Sequence, residues 1–365
     1  MVAAVGGGSH SDSADGDSAA GDSAVALMHG SAARSPGMHD VARVAGVSHQ
    51  TVSRVLNDHP NVRRETKERV QQAIVELGYR RNTAARTLVT NRSGVIGVVT
   101  PRSVLYGPTS TLIAVEAAAR EAGFFVSLVS VDESGQALLS NVFEHFMDQG
   151  VDAMVVIAPS VALLAAAEAA STRCPMVLIS ADVASCKTFH TASVDNEDGA
   201  RKLTKHLIDL GHRDIVHLAG PTAFMESRAR IRGWSAELTS AGLPADRIFD
   251  GDWTAGRGYE VGGLLLKERL PTAVFAANDQ MALGLIRAFT EAGIAMPEQV
   301  SVVGFDDIAA AAYLSPPLTT LRQDFELLGR RCIQMLTALM AGQAVANEVI
   351  SPEMVIRDST APPRT

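Results

Sequence analysis

From Val95 onward, short apolar runs alternate with amphipathic helical stretches, and this alternation confines that part of the chain to parallel sheets wound with helices. A parallel strand needs a crossover of about a dozen residues before its neighbour, and the spacing supplies one each time. VIGVV, FFVSLVSV, AMVVIAP and MVLIS are separated by helical stretches at 109–122, 136–149 and 162–171. The order then restarts with TASVD, a helix at 196–210, IVHLAG, helices at 226–241 and near 256–268, AVFAAN, a helix at 280–292 and SVVGFD. Two such series predict two α/β lobes, with a ligand at the carboxyl ends of the strands in the crevice between them.

The residues ahead of this body follow another period. Val41, Ala42, Val44 and Ala45 fall at helical spacing and stop at Gly46; Ser48 then caps a second helix, His49 to Asn57, with Val52, Val55 and Leu56 on one face and Gln50, Ser53, Arg54 and Asn57 on the others. A third amphipathic run, Glu65 to Leu77, closes a three-helix core before Gly78. A second helix with a capped, polar first turn suits entry into a major groove, where Arg and Gln form paired bonds to base edges. On pattern alone, a small three-helix protein-binding module is a rival reading.

Charge separates the two regions. The chain carries a net −8, yet residues 37–92 hold ten Arg and Lys against five Asp and Glu, so a basic head sits on an acidic body. Residues 1–36, rich in Ala, Gly, Ser and Asp, have no basic start followed by an apolar run; they read as a disordered extension rather than a signal peptide. The longest apolar stretch, Met154 to Ala167, is broken at Pro159 and falls short of the roughly 20 residues of a membrane span. Cys174, Cys186 and Cys332 are odd in number and lack metal spacing, which points to the cytoplasm and to no metal. No GxGxxG follows a strand, and no P-loop, GxSxG or HExxH occurs, so no catalytic residue and no cofactor is expected.

The string DVARVAGVSHQTVSRVLND followed by RVQQAIVELGY closely resembles the DNA-binding head of the lactose/galactose repressor family. The likeness continues through LGHRDIVHLAGP, ANDQMALG, SVVGFDD and PPLTTLRQDFELLG, covering about residues 38 to 358. It implies a helix-turn-helix head at 37–81, a hinge helix or linker at 82–93, a two-lobed, periplasmic-binding-protein-like body for effector binding and dimerisation at 94–358, and a tail at 359–365. His49, Gln50 and Arg54 would face bases, while Ser48, Thr51, Ser53 and Asn57 anchor phosphates, with Tyr79 and Asn82 also at the DNA. Leu88 would wedge into the minor groove once paired hinges fold, since Asn82 to Leu88 is too short for a stable lone helix. Gly37 and Arg63 stand where the family often places a capping Thr or Ser.

In the body, the resemblance assigns Arg230, Asn278, Asp306 and Gln323 as polar contacts to an effector, Trp253 and Phe325 as aromatic walls, and Leu105 and Thr111 as contacts from the first lobe. For Asp279 and Asp307, helix capping is the expected role. Ser180 stands roughly where the family has an acidic ligand, Pro101 where it is often polar, and Trp234 reads as core. The resemblance implies a homodimeric repressor that binds a near-palindromic operator and is released by a sugar or glycoside; the C-terminal residues lack the Leu heptads of a tetramer. A corepressor, purine-like or protein, is the alternative. A solute-binding transport protein would share the body but has no use for residues 38–92.

Overall fold

The computed structural model describes residues 36–80, 92–132, 136–169, 174–181 and 189–364. The chain divides into two compact units at Asn82/Thr83.

The head consists of α1 (Met38–Ala45), α2 (His49–Leu56) and α3 (Arg64–Leu77). Their apolar faces meet in one core of Val41, Ala42, Ala45, Val52, Val55, Val70 and Ala73, as the spacing predicts. Gly46 and Gly78 close α1 and α3 with φ of 64° and 60°, a left-handed turn that other residues adopt only at a cost. Ser48 caps α2, its Oγ accepting the Thr51 N–H at 3.2 Å. Neither Gly37 nor Arg63 makes a side-chain cap; Asp40 compensates at α1 by accepting the Gly37 N–H at 2.9 Å.

In chain order the strands of the body are β1 (Val95–Pro101), β2 (Phe125–Val131), β3 (Ala153–Ile157), β4 (Met176–Ile179), β5 (His190–Val194), β6 (Ile215–Ala219), β7 (Ile248–Asp250), β8 (Ala273–Ala276), β9 (Ser301–Val303), β10 (Thr320–Arg322), β11 (Glu348–Ile350) and β12 (Glu353–Val355). Its helices are α4 (Tyr106–Glu121), α5 (Gln136–Asp148), α6 (Val161–Ala169), α7 (Asn196–Asp209), α8 (Met225–Ser240), α9 (Ala255–Lys267), α10 (Asp279–Glu291) and α11 (Phe325–Met340). The first lobe holds a parallel sheet in the order β11-β5-β4-β3-β1-β2, and the second a parallel sheet in the order β7-β6-β8-β9.

The lobe boundary differs from the sequence expectation. TASVD, read as the start of the second series, is β5 and pairs with β4 through Val177 and His190, Leu178 and Thr191, and Ile179 and Ala192. The chain crosses only afterwards, at Asp195, where α7 begins. It returns at Gln323, between β10 and α11, and crosses once more between β11 and β12. β10 and β12 pair antiparallel beside these crossings, and α11 buries Leu328, Cys332, Ile333 and Leu336 in the first lobe with Ile96, Val98, Val115 and Val155. The body also extends beyond 358. Ser359 accepts the Val302 N–H on its carbonyl at 2.9 Å and donates its hydroxyl to the Val302 carbonyl at 2.6 Å, while Ala361 meets His212 at 2.9 Å. These hydroxyl and backbone bonds leave no trace in hydrophobic periodicity.

Candidate functional site

On the head, burying Val52 and Val55 turns the opposite side of α2 outward, exposing Gln50, Arg54 and Asn57 with Ser48, while His49, Thr51 and Ser53 are half-buried. The His49 ring stacks on His39 at 4.5 Å, which fixes its direction, and the hydroxyls of Ser48 and Thr51 lie 2.9 Å apart at the helix start. These seven expected contacts therefore share one helix. Tyr79 does not join them: it is buried among Val41, Val52 and Val70, so its ring serves the core. Asn82 and Leu88 lie outside the described residues.

In the body, all eight expected effector residues line a single cavity between the lobes. Leu105 lies in the loop after β1 and Thr111 on α4. Arg230 projects from the first turns of α8, Trp253 from the loop after β7, Asn278 and Asp306 from the ends of β8 and β9, and Gln323 and Phe325 from the return crossing. This is the carboxyl edge of both sheets, where the loops of a parallel fold converge.

Arg230 organises the polar side. Its Nε donates to Asn196 Oδ1 at 2.8 Å, its Nη1 donates to the Ala277 carbonyl, and its Nη2 lies 3.7 Å from Asp306 Oδ1. The guanidinium also covers the Phe305 ring at 3.7 Å and faces Trp253 at 5.6 Å. Asp306 accepts a 2.7 Å bond from Gln323 Nε2, and burial holds its carboxyl up at about 6 against the opposing pull of Arg230. Trp253 and Asp306 have φ of 71° and 116°, left-handed conformations costing about 1–3 kcal/mol each that the surrounding structure must hold in place.

Neighbouring polar residues are tied into the protein itself. Asn278 caps α10, its Oδ1 accepting the Met281 N–H at 2.9 Å while its Nδ2 donates to the Trp253 carbonyl at 3.1 Å. Both ends of that amide thus hold the wall together. Asp279 and Asp307, expected as caps, are tethers. Asp279 accepts from Thr320 Oγ1 at 2.6 Å and from the Ile308 N–H at 2.9 Å, while Asp307 takes Arg322 at 2.8 Å and Arg357 at 2.7 Å. Burial, reinforced by the charge of Asp306, pushes the Asp279 carboxyl up to about 8. Trp234 is core, stacked on His217 at 5.4 Å, as expected.

Sequence reasoning overlooked Glu226, Asn196, Ser193 and Phe224, all on the cavity wall. Glu226 stands at the seam between lobes. Just before it, Met225 donates its N–H to the Pro159 carbonyl at 2.9 Å, Phe224 bridges Ser160, and Met225 buries its side chain in the first-lobe core. An acid near a helix start reads as an ordinary dipole partner; only the docking of lobe on lobe encloses it. Ser180 is on the wall as well.

Residues 37–82 match bacterial regulatory proteins of the lacI family, and residues 204–360 match the periplasmic binding protein-like domain. The chain is 37% identical to the lactose operon repressor of Escherichia coli (strain K12) over 90% of its own length and 91% of the relative's. The chain belongs to the LacI family. The HTH-type transcriptional repressor PurR of Pasteurella multocida (strain Pm70) is 34% identical over 88% of this chain and 97% of its own. The lac repressor dimer bound to operator and the anti-inducer ONPF matches the structure with a TM-score of 0.81 at 36% identity, covering 89% of this chain and 99% of that one. The regulator CelR in complex with cellobiose matches with a TM-score of 0.64 at 29% identity, covering 89% and 99%. This LacI-family chain is thus a DNA-binding transcriptional repressor with a helix-turn-helix head and a two-lobed α/β body. Among the described residues, no helix is long and apolar enough to cross a membrane.

Proposed function

We propose that the protein is a cytoplasmic, homodimeric repressor that holds a near-palindromic operator and is released when a sugar or glycoside binds between its lobes. The observation that carries this reading is the convergence of Arg230, Asp306, Gln323, Trp253 and Phe325 on one inter-lobe cavity. Carboxylate, amide and guanidinium groups pair with neighbouring hydroxyls, and aromatic rings cover the apolar face of a sugar. Solved relatives support the ligand class: the lac repressor is bound to ONPF in one structure and to ONPG in another, and CelR is bound to cellobiose. No enzymatic activity belongs to this reading.

A ligand touching both lobes favours one lobe angle, so its binding and operator binding must influence each other by the same factor. In this reading the Asn82–Leu88 hinge carries the change to the head, Leu88 leaving the minor groove as the paired hinges separate. Gln50 and Arg54 read bases, and Ser48, Thr51, Ser53 and Asn57 hold phosphates.

The test is operator binding by the full chain, followed by fluorescence anisotropy across titrations of mono- and disaccharides. Release by one sugar, with sedimentation showing a dimer, is the expected result. Tighter operator binding as a ligand rises would replace the inducer with a corepressor, and a stable tetramer or an operator-bound monomer would refute the assembly.

A further inference from the structure

Among the described residues, two residues that line the cavity each hold a buried side-chain atom with no hydrogen-bond partner: Glu226 Oε2 and Trp253 Nε1. The remaining polar groups of the wall are largely committed to the protein. Arg230 spends Nε on Asn196 and Nη1 on Ala277, Asn278 uses both ends of its amide, Asn196 donates to the Val194 carbonyl at 3.0 Å, and Thr111 donates to the Gly107 carbonyl at 2.8 Å. A buried acceptor without a donor costs about 1–3 kcal/mol, and more when charged, so an occupant that supplies the donor is favoured by that amount.

Building on the effector-site reading above, we propose that Glu226 sets the polarity of the ligand: its open Oε2 accepts a hydroxyl of an uncharged polyol and excludes ligands that place a carboxylate or phosphate there. Three observations favour an uncharged hydroxyl over a charged group. The second open atom, Trp253 Nε1, is a donor; a hydroxyl both donates and accepts, whereas an ammonium only donates. Arg230 and Asp306 already answer each other's charge across 3.7 Å, leaving no unbalanced cation to receive an anion. Much of the remaining wall, including Leu105, Pro159, Ile179, Phe224 and Phe325, is apolar and would leave a second ionic group poorly solvated.

The experiment uses the full chain and matched probes: methyl and 4-nitrophenyl β-glycosides of glucose and galactose, the same glycosides of glucuronic and galacturonic acid, galactose 6-phosphate, and glucosamine. Dissociation constants are measured calorimetrically for the wild type and for Glu226→Gln, which keeps size and offers both a donor and an acceptor. The wild type should prefer at least one neutral glycoside over its uronic partner by more than tenfold. In E226Q that ratio should shrink at least fivefold, chiefly through a gain for the acid. Operator binding equal to wild type establishes that E226Q is folded; Glu226→Ala, which removes both acceptor oxygens, should weaken the neutral glycoside about tenfold or more. Wild-type preference for a uronic acid, a phosphate or glucosamine, or a selectivity unchanged in E226Q, overturns the assignment of Glu226 while leaving the sugar reading intact. If no glycoside of either charge binds the wild type, the sugar reading itself falls and this inference falls with it.

Discussion

Replacing Arg230 by Met tests the polar cluster most directly, because the substitution keeps most of the volume and removes only the charged fork. The guanidinium is buried, bonded to Asn196 and to the Ala277 carbonyl, and close to Asp306. Two bonds from a charged donor contribute about 1.5–3 kcal/mol each. Removing one partner of a buried ion pair costs about 3–5 kcal/mol, since the other is left without compensation. R230M should therefore lose about 3–5 kcal/mol in urea denaturation followed by the fluorescence of Trp234 and Trp253. Without the guanidinium, the Asp306 carboxyl rises further above 6 and takes a proton at neutral pH, which limits the loss. Adding Asp306→Asn removes the stranded carboxylate, so the double variant should be more stable than the sum of the two single losses by about 0.5–3 kcal/mol. Under the proposed function, R230M should still hold operator and fail to respond to sugar. A loss below about 1 kcal/mol, or additive losses in the double variant, would refute the view that Arg230 and Asp306 act as one unit.

Three further outcomes are expected. Arg54→Ala should weaken operator binding by about 1–3 kcal/mol by anisotropy and leave sugar affinity unchanged; undiminished operator binding would remove Arg54 from the reading face. Burial lowers the His217 imidazole to about 4, below its unfolded value, so the unfolded state binds more protons between those values and stability falls as pH drops through that window. His217→Phe should flatten that fall by up to about 3 kcal/mol between pH 7 and pH 4 in denaturation curves, and an unchanged slope would clear His217 of it. Gly284→Ala would set a Cβ 1.9 Å from the Ala255 carbonyl and 2.5 Å from the Tyr259 nitrogen, forcing α9 from α10. That should cost about 1–3 kcal/mol and several degrees of melting temperature, and an unshifted Tm would contradict the observed packing.

Much of the molecule was legible beforehand because its signals are local. Helical spacing with Gly46 and Gly78 stops defines the head, and the polar side of α2 follows from Val52 and Val55 facing inward. The strand and helix alternation predicts both the parallel sheets and the edge at which Asn278 and Asp306 emerge. Family resemblance brought Arg230 and Trp253 to the same place, although neither's position in space follows from its neighbours in sequence.

Other features depend on contacts between residues far apart in the chain. Periodicity identifies TASVD as a strand, but only its pairing with Val177, Leu178 and Ile179 assigns it to the first lobe. Asn278 and Asp279 are adjacent polar residues at a strand end; Thr320, Ile308 and Trp253, brought there by other loops, make one a cap and the other a tether. Tyr79 looks like any tyrosine after a helix until α1 and α2 enclose its ring. Glu226 shows the same limit most clearly. Its sequence position suits a solvated acid at a helix start, and it becomes an enclosed acceptor only because Met225 docks in the opposite lobe, since burial and hydrogen-bond supply are properties of the assembled surface rather than of any stretch of chain.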